Sequence, residues 1–210
     1  MTRFVHKAFH YGNVLLCHLL FYPYVIVLYL SRNRSDKLHV GCGSNRFDGW
    51  INADITVRSD LIVFLQKKLP FKKNVLRRIY TEHVLEHVPY ETAVFFLQES
   101  YRTLQHGGVI RIAMPDLDDL INGYKNDWRK FDWVNWPDFS FIKTRAEMIN
   151  IAFRWWGHQH LYNQEELIRA LTDAGFSSFK FVKHGQSDCA DLCGLETRLD
   201  STLIIEAWKI

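Results

Sequence analysis

The sequence predicts an α/β fold, in which a mainly parallel β-sheet is covered on both faces. Three observations lead to this prediction: short β-type runs alternate with helical segments, a Gly-x-Gly turn follows the first run, and an aspartate closes the second. This alternation is typical of parallel sheets built from crossover units. With 210 residues the chain has room for one domain with a substantial core and is too short for two ordinary enzyme domains.

Six short apolar runs predict the strands. In chain order they are KLHV (37–40), WINADI (50–55), RRIYTEH (77–83), GVIRIAM (108–114), FKFVKH (179–184) and STLIIEAW (201–208). Only seven residues separate Gly43 from Ile51, which is too few for a full helix. We therefore expect a loop to replace most of the first crossover.

Two segments between these runs have the apolar spacing of helices that dock on a sheet. The first reaches a stop signal at Gly107 and Gly108, and its apolar positions are Ala93, Phe96, Leu97, Tyr101 and Leu104. The second begins with an N-cap at Asn163 and has Glu166 at its third helical position. It ends at Gly175, and its apolar stripe is Leu167, Ala170, Leu171 and Ala174.

A segment at about 118–157 interrupts this rhythm and is unusually aromatic. Its tryptophans are Trp128, Trp133, Trp136, Trp155 and Trp156. One interpretation is a lid or a substrate-lining insertion. The other is a subsidiary hydrophobic cluster under a long loop, and the two interpretations are compatible.

The N-terminal segment, residues 1–36, differs in composition from the rest. Residues 8–31 contain no Asp, Glu, Lys or Arg, and basic residues flank them on both sides. The central Pro23 and the tyrosines argue against a clean membrane span and favour an interfacial anchor through residues 14–30. The alternative is a hydrophobic helix lying on the domain's own apolar surface. The basic residues after the segment favour a cytoplasmic location for the main domain, residues 37–210.

Charge and cysteine content restrict the class of protein further. The net charge is +3 and the basic residues are scattered, which argues against a dedicated nucleic-acid binder. The four cysteines lie in unrelated contexts, which favours a reducing compartment. They are Cys17, Cys42, Cys189 and Cys193. The last two could pair or share a metal, but no second Cys/His pair at ligand spacing accompanies them, so we expect two separate thiols.

The turn after the first strand and the end of the second strand suit a nucleoside ligand. In open parallel sheets, ligands bind beyond the carboxyl ends of the strands, beside the first turn. Gly41 and Gly43 let the backbone approach a ligand, and Asp54 can accept both hydroxyls of a ribose. The third glycine of the dinucleotide-binding signature is missing.

Four blocks of sequence carry a family resemblance. They are LHVGCGSNRFDGWINADI (38–55), LPFKKNVLRRIYTEHVLEHVP (69–89), GGVIRIAMPDL (107–117) and GHQHLYNQEELIRALTDAGF (157–176). Together they resemble the class I S-adenosylmethionine-dependent methyltransferases, in particular a small type-11-like group with GCG, GWIN and EHVLEH motifs. The resemblance implies a Rossmann-like seven-stranded sheet of order 3-2-1-4-5-7-6, with the last strand antiparallel.

The resemblance also implies a cofactor site for S-adenosylmethionine, whose product is S-adenosylhomocysteine. Asp54 would hold the ribose, and the glycine turn would face the methionine part. Relatives usually have Asp-Leu near the adenine, whereas this chain has Phe64 and Leu65, so Phe64 is a candidate for stacking. The implied cofactor-binding set is Val40, Gly41, Cys42, Gly43, Asp54, Leu65, Glu82 and His83.

Methyl transfer depends mainly on alignment of the acceptor, and an alcohol acceptor also needs a base. The candidates for catalysis are His83, His87, Glu82, Asp116 and His158. Any of the histidines could instead be structural, and Glu82 could hold the cofactor's ammonium or orient a histidine. We expect no metal site, because these residues lie on a helical turn without an open-site ligand pattern.

The predicted function is O-methylation of a sugar hydroxyl in a glycan or a glycan precursor. The aromatic segment suits stacking on sugar faces, and the N-terminal segment suits lipid-linked acceptors. The alternatives are a small-molecule or lipid methyltransferase, and a non-catalytic cofactor-binding module, because fold and cofactor do not fix the second substrate.

Overall fold

A computed structural model describes residues 35–210 of the chain. The predicted hydrophobic helix, with its proposed anchoring stretch at 14–30, lies outside the described residues. Across 35–210, none of the helices combines the length and the apolar character that crossing a bilayer requires.

Seven strands form one sheet in the order β3-β2-β1-β4-β5-β7-β6, which confirms the order implied by the resemblance. The bounds are β1 Lys37–Val40, β2 Ile51–Asp54, β3 Leu61–Ile62, β4 Leu76–Glu82, β5 Leu104–Met114, β6 Ser178–Phe181 and β7 Leu203–Trp208. The final strand, β7, is antiparallel to both of its neighbours, β5 and β6. The two-residue β3 was not among the six predicted strands, although it begins the apolar run LIVFL at 61–65.

Four α-helices are described: α1 Tyr90–Thr103, α2 Leu117–Lys125, α3 Arg145–Arg154 and α4 Gln164–Asp173. The predicted start of α4 is confirmed, because the Asn163 side chain accepts a 3.0 Å hydrogen bond from the Glu166 amide. The predicted loop in the first crossover is also confirmed, since 43–50 contains no helix.

The predicted end of α1 is wrong. The helix ends at Thr103, and Leu104 already pairs with Leu76 of β4 as a strand residue. The two glycines expected to stop the helix lie inside β5, where Gly107 has a φ of 73°. Leu76 and Arg78 of β4 face Leu104 and Val109 of β5, so the pairing register shifts here and the surplus residues, which include both glycines, form a bulge in β5.

The core lies on both faces of the sheet. On one face, α1 and α4 pack together over the largest apolar cluster, which includes Leu38, Ile79 and Phe96. Among the described residues, the other face is covered mainly by irregular segments around Phe47 and Leu192. These segments bury the side chains of Tyr80 on β4 and Ile204 on β7, so irregular segments cover this face where helices are the usual cover.

A charged side chain is fully buried in the middle of the sheet. Arg111 of β5 donates to Glu206 directly across the ladder on β7, and to Glu196 from the loop before β7, each at 2.6 Å. It also donates to the Gln186 carbonyl at 2.9 Å. A buried charge needs such partners, so this group ties the loop of residues 182–202 to the centre of the sheet.

A histidine is buried in neutral form on β1. The His39 ring stacks on Phe47 at a centroid distance of 4.4 Å and an interplanar angle of 12°, and it is 3% exposed. Burial lowers the pKa of His39 from 6.5 to about 4. Between these pH values the unfolded chain binds a proton that the folded chain does not. The contribution of His39 to stability is therefore complete above about pH 6.5 and is lost as the pH falls toward 4.

We expect His39→Phe to flatten the pH dependence of stability between pH 6.5 and 4, because phenylalanine keeps the stack and removes the proton. The slope of the unfolding free energy should fall by up to about 1.4 kcal/mol per pH unit. Urea unfolding of the wild type and the variant at several pH values measures this slope. Parallel curves for wild type and variant would show that His39 is not buried in neutral form.

Candidate active site

A cavity of about 220 Å³ lies at the carboxyl ends of β4 and β5. The loop after β4 contributes His83 and His87 to its wall, and the residues after β5 contribute Asp116. The loop before β7 contributes Arg198 and Asp200. The structure thus brings together four of the five predicted catalytic candidates, since His158 also lines this cavity.

The aromatic segment forms one wall of the cavity. Its cavity-lining rings are Phe131, Trp133, Trp136 and Trp156. Trp133 is buried in a separate apolar cluster and meets Trp156 edge-on at 5.1 Å, whereas Trp136 is 48% exposed. The segment is therefore both a subsidiary cluster and a cavity wall.

The Gly-x-Gly corner directly follows β1, the strand next to β4. Gly43 has a φ of 51°, and a Cβ at this position would meet no atom within 4 Å. The Gly43 amide donates to the Asp54 carboxylate at 2.9 Å through Oδ2. The corner therefore presents open backbone beside an acidic group, as a nucleoside site requires.

Gly41 has a different reason to be glycine. A Cβ at this position, where φ is 76°, would overlap the side chain of Val84. The missing side chain therefore makes room for the protein's own loop after β4. Cys42 turns inward, and burial raises the pKa of its thiol to about 11, so only its backbone is available to a ligand.

The remaining residues of the implied cofactor-binding set are largely buried. Val40 is part of the core beneath the corner. Phe64 and Leu65 are each 7% exposed, which leaves little ring surface at Phe64 for stacking on an adenine.

The Glu82 carboxylate is occupied by donors from the loop before β7. It accepts from the Thr197 and Arg198 amides at 3.0 to 3.2 Å and from the Thr197 and Ser201 hydroxyls at 2.7 Å. Burial alone would raise the pKa of Glu82, but the hydrogen bonds from Ser201 and Thr197 outweigh it and lower the pKa. Glu82 therefore fixes the loop that carries Arg198 and Asp200.

His83 is oriented by the same group. Its backbone has a φ of 51°, and its Nε2 lies 3.1 Å from the Ser201 hydroxyl oxygen. The single Ser201 proton goes to Glu82, because a carboxylate can only accept, so His83 Nε2 must donate to Ser201. The lone pair on Nδ1 then faces Glu86, whose Oε1 is 3.4 Å away. Burial lowers the pKa of His83 to about 4.

His158 presents the opposite arrangement. Its Nδ1 lies 2.6 Å from the Ala152 carbonyl and must donate to it, which leaves the lone pair on Nε2. The ring is 4.8 Å from that of His87. Burial lowers the pKa of both histidines, and the pKa of His87 falls to about 4. Both rings are neutral at physiological pH.

The carboxylates in the wall differ in how far they are already engaged. Asp116 caps α2 by accepting from the Asp118 amide at 2.9 Å, and burial raises its pKa. Asp119 forms an ion pair with Lys130. Asp200 lies 3.6 Å from His83 Nε2, and burial raises its pKa too.

Arg198 and Asp200 are the site residues that sequence reasoning missed. A signal was available, because β7 is antiparallel and its start must lie at the same edge as the ends of β4 and β5. The polar stretch just before the final predicted strand therefore had to border the cavity.

Comparison with known proteins identifies the fold. The chain is similar to an S-adenosylmethionine-dependent methyltransferase of Thermotoga maritima, described as a possible histamine N-methyltransferase. The TM-score is 0.53 at 17% identity, and the match covers 99% of this chain and 97% of that chain. It is also similar to a Bordetella parapertussis protein described as a possible exported protein. The TM-score is 0.50 at 10% identity, and the match covers 90% of this chain and 66% of that chain.

A third similar structure is an S-adenosylmethionine-dependent methyltransferase of Archaeoglobus fulgidus. The TM-score is 0.48 at 17% identity, and the match covers 98% of this chain and 97% of that chain. No protein-family model and no curated protein matches the chain. The Thermotoga likeness and the strand order together show the class I methyltransferase fold.

We expect Glu82→Gln to loosen the loop at 197–201, because an amide offers one acceptor oxygen where the carboxylate offers two. The loss should be about 1–3 kcal/mol of unfolding free energy. Hydrogen exchange at the Thr197 and Arg198 amides should accelerate at the same time. The exposed Glu91→Gln is the matched control, and unchanged exchange in the Glu82 variant would contradict the assignment.

Proposed function

We propose that the protein is an S-adenosylmethionine-dependent methyltransferase whose acceptor binds in the aromatic-walled cavity. The observation that carries this proposal is the adjacency of an open glycine corner and a polar cavity at one edge of the sheet. Val84 packs over Gly41, and its neighbour His83 lines the cavity, so the two features share one loop.

The residues present fit the cofactor in two respects. The open backbone at Gly43 leaves room for the methionine part, and Asp54 offers acceptors to the ribose hydroxyls. When bound, the cofactor supplies a methyl group on a sulfonium, which is already primed for displacement. The chain's own task is to align an acceptor and exclude water.

The acceptor that we propose is a sugar hydroxyl of a glycan or a glycan precursor. Exposed ring faces at Trp136 and Trp156 suit the apolar faces of a sugar. Asp116 and Asp200 can accept hydrogen bonds from its other hydroxyls. Activation of the acceptor falls to the imidazole nitrogens of His87 and His158, because the lone pair of His83 is turned toward Glu86.

An amine acceptor is the second candidate. Asp116 and Asp200 face the cavity with Arg198 as the lining cation, while Asp119 is paired with Lys130. Tryptophan faces also attract cations. This balance of charge favours a cationic ligand more than it favours an anionic one.

Methyl transfer to a panel of sugars, lipid-linked sugars and small amines, followed by mass spectrometry, tests the proposal. A methylated sugar is the expected product, and a methylated amine would establish the second candidate instead. Cofactor binding without any product across the panel would favour a non-catalytic module.

We expect Asp54→Ala to weaken S-adenosylmethionine binding by about 1–3 kcal/mol, roughly 5- to 150-fold in Kd. Asp54→Asn keeps an acceptor for the Gly43 amide and should lose less. Isothermal titration measures both. The exposed Asp48→Asn, in the same loop region, is the control. Equal affinity in all of these variants would remove the ribose from this corner.

We expect His158→Ala to lower kcat by roughly 10²–10⁴-fold while cofactor affinity stays unchanged. His106→Ala is the matched control, because His106 is exposed in β5, toward the edge away from the cavity. Steady-state kinetics with the methylated acceptor measures the effect. A wild-type rate in the His158 variant would exclude this ring from acceptor activation.

A further inference from the structure

A fully buried carboxylate without a partner lies behind the cavity wall. Glu86 is 1% exposed, and neither of its carboxylate oxygens has a hydrogen-bond partner of good geometry within residues 35–210. His83 Nδ1 is 3.4 Å from Oε1, close enough for contact. A carboxylate in such surroundings requires either a proton or a cation, because burying it ionised and alone costs several kcal/mol.

Two neutral imidazoles stand beside this carboxylate. One ligand atom each from Glu86, His87 and His158 lies within 4.8 Å of the other two. The sequence brings Glu86 and His87 together as neighbours, whereas His158 arrives from the far side of the aromatic segment. Only the fold assembles the three, so a local motif could not have shown them.

The two rings are held in the way that metal ligands are held. His158 donates its Nδ1–H to the Ala152 carbonyl at 2.6 Å, which leaves Nε2 for a ligand. The Trp156 backbone borders the His87 ring and restricts its direction. Backbone contacts of this kind fix the tautomer and the direction of metal-binding histidines.

We propose that Glu86, His87 and His158 bind a divalent transition metal ion, with an open coordination position toward the cavity. Two histidines and one carboxylate form the donor set of open Zn²⁺ and Fe²⁺ sites. Ligand atoms around a tetrahedral ion lie roughly 3.3 Å apart, so the three side chains close by about 1.5 Å on binding. This inference departs from the expectation of no metal drawn from the sequence.

The role of the ion rests on the proposed function. With their lone pairs on the ion, His87 and His158 would activate the acceptor through the metal and not as bases. The open position of the ion takes the oxygen of the acceptor hydroxyl and lowers the pKa of that hydroxyl, so that the proton leaves to solvent. The oxygen then forms the new bond to the methyl carbon, while the carbon–sulfur bond breaks and its electron pair stays on sulfur. The charge balances, because the sulfonium becomes a neutral thioether.

A metal-binding measurement on the full chain, without cofactor or acceptor, tests the site. Chelator-treated and dialysed protein is titrated with Zn²⁺ by calorimetry and with Co²⁺ by optical spectroscopy. We expect one ion per chain, with a Co²⁺ spectrum of nitrogen and oxygen ligands and no thiolate charge-transfer band. A thiolate band would assign the ion to the cysteines and overturn the proposal.

Glu86→Gln and His158→Ala should each lower the affinity for Zn²⁺ by 10-fold or more. The control is His160→Ala, because His160 belongs to a more exposed histidine–carboxylate pair, 2.8 Å from Glu166. Circular dichroism confirms that each variant is folded. Glutamine mimics a protonated Glu86, so a folded Glu86→Gln with wild-type metal affinity would show that Glu86 is a neutral acid and no ligand.

The experiments can refute the proposed function and the proposed metal site independently of each other. A chain that binds the ion but transfers no methyl group to any acceptor would overturn the proposed function and keep the site. A chain that transfers methyl groups at full rate in excess chelator, and binds no added Zn²⁺, would keep the function and overturn the site.

Discussion

The arrangement of the sheet and of the loop before β7 depends on how the buried positive charge of Arg111 is neutralised. A guanidinium with no exposed surface is tolerated only where carboxylates reach it, and Glu206 and Glu196 do so. Glu206 comes from the neighbouring strand, which the antiparallel register brings opposite. Glu196 comes from a loop and also accepts from the Gly185 amide at 2.9 Å. Because Glu196 must reach Arg111, this ion pair determines where the loop before β7 crosses the sheet.

From Glu196 onward the chain is held by a second carboxylate at the sheet edge. Glu82 receives the next backbone amides and two hydroxyls, so the loop cannot leave the ends of β4 and β5. The bond from Ser201 to Glu82 then determines the tautomer of His83. One chain of hydrogen bonds therefore runs from the core of the sheet to the cavity, and positions Arg198 and Asp200 on the way.

The sequence was sufficient for the parts of the fold that depend on local pattern. The six apolar runs, the N-cap at Asn163 and the helix-free first crossover follow from residue spacing alone. The end of α1 does not follow from residue spacing. Leu104 fits the helical period and also fits a strand, and only its pairing with Leu76 of β4 shows that it belongs to the strand. At Gly41 the structure adds a second reason for glycine that the sequence did not show, because Val84 occupies the space that a Cβ would fill.

The candidate site shows where such reasoning stops. His83, His87, Asp116 and His158 were found as polar residues at strand ends or before a capped helix. The sequence did not indicate their hydrogen-bond partners. These partners determine which ring nitrogen of each histidine keeps a free lone pair.

The aromatic segment links stability to the site. Its buried rings, such as Trp133, give it a core of its own, and this core holds the turn from Ala152 to His158 in place. The same turn supplies the carbonyl that orients His158 and the backbone that contacts His87. Since both imidazoles depend on this one turn, loosening of the aromatic cluster would disturb their direction before it disturbed the sheet. The segment therefore acts on the cavity through backbone geometry as well as through the ring faces that line it.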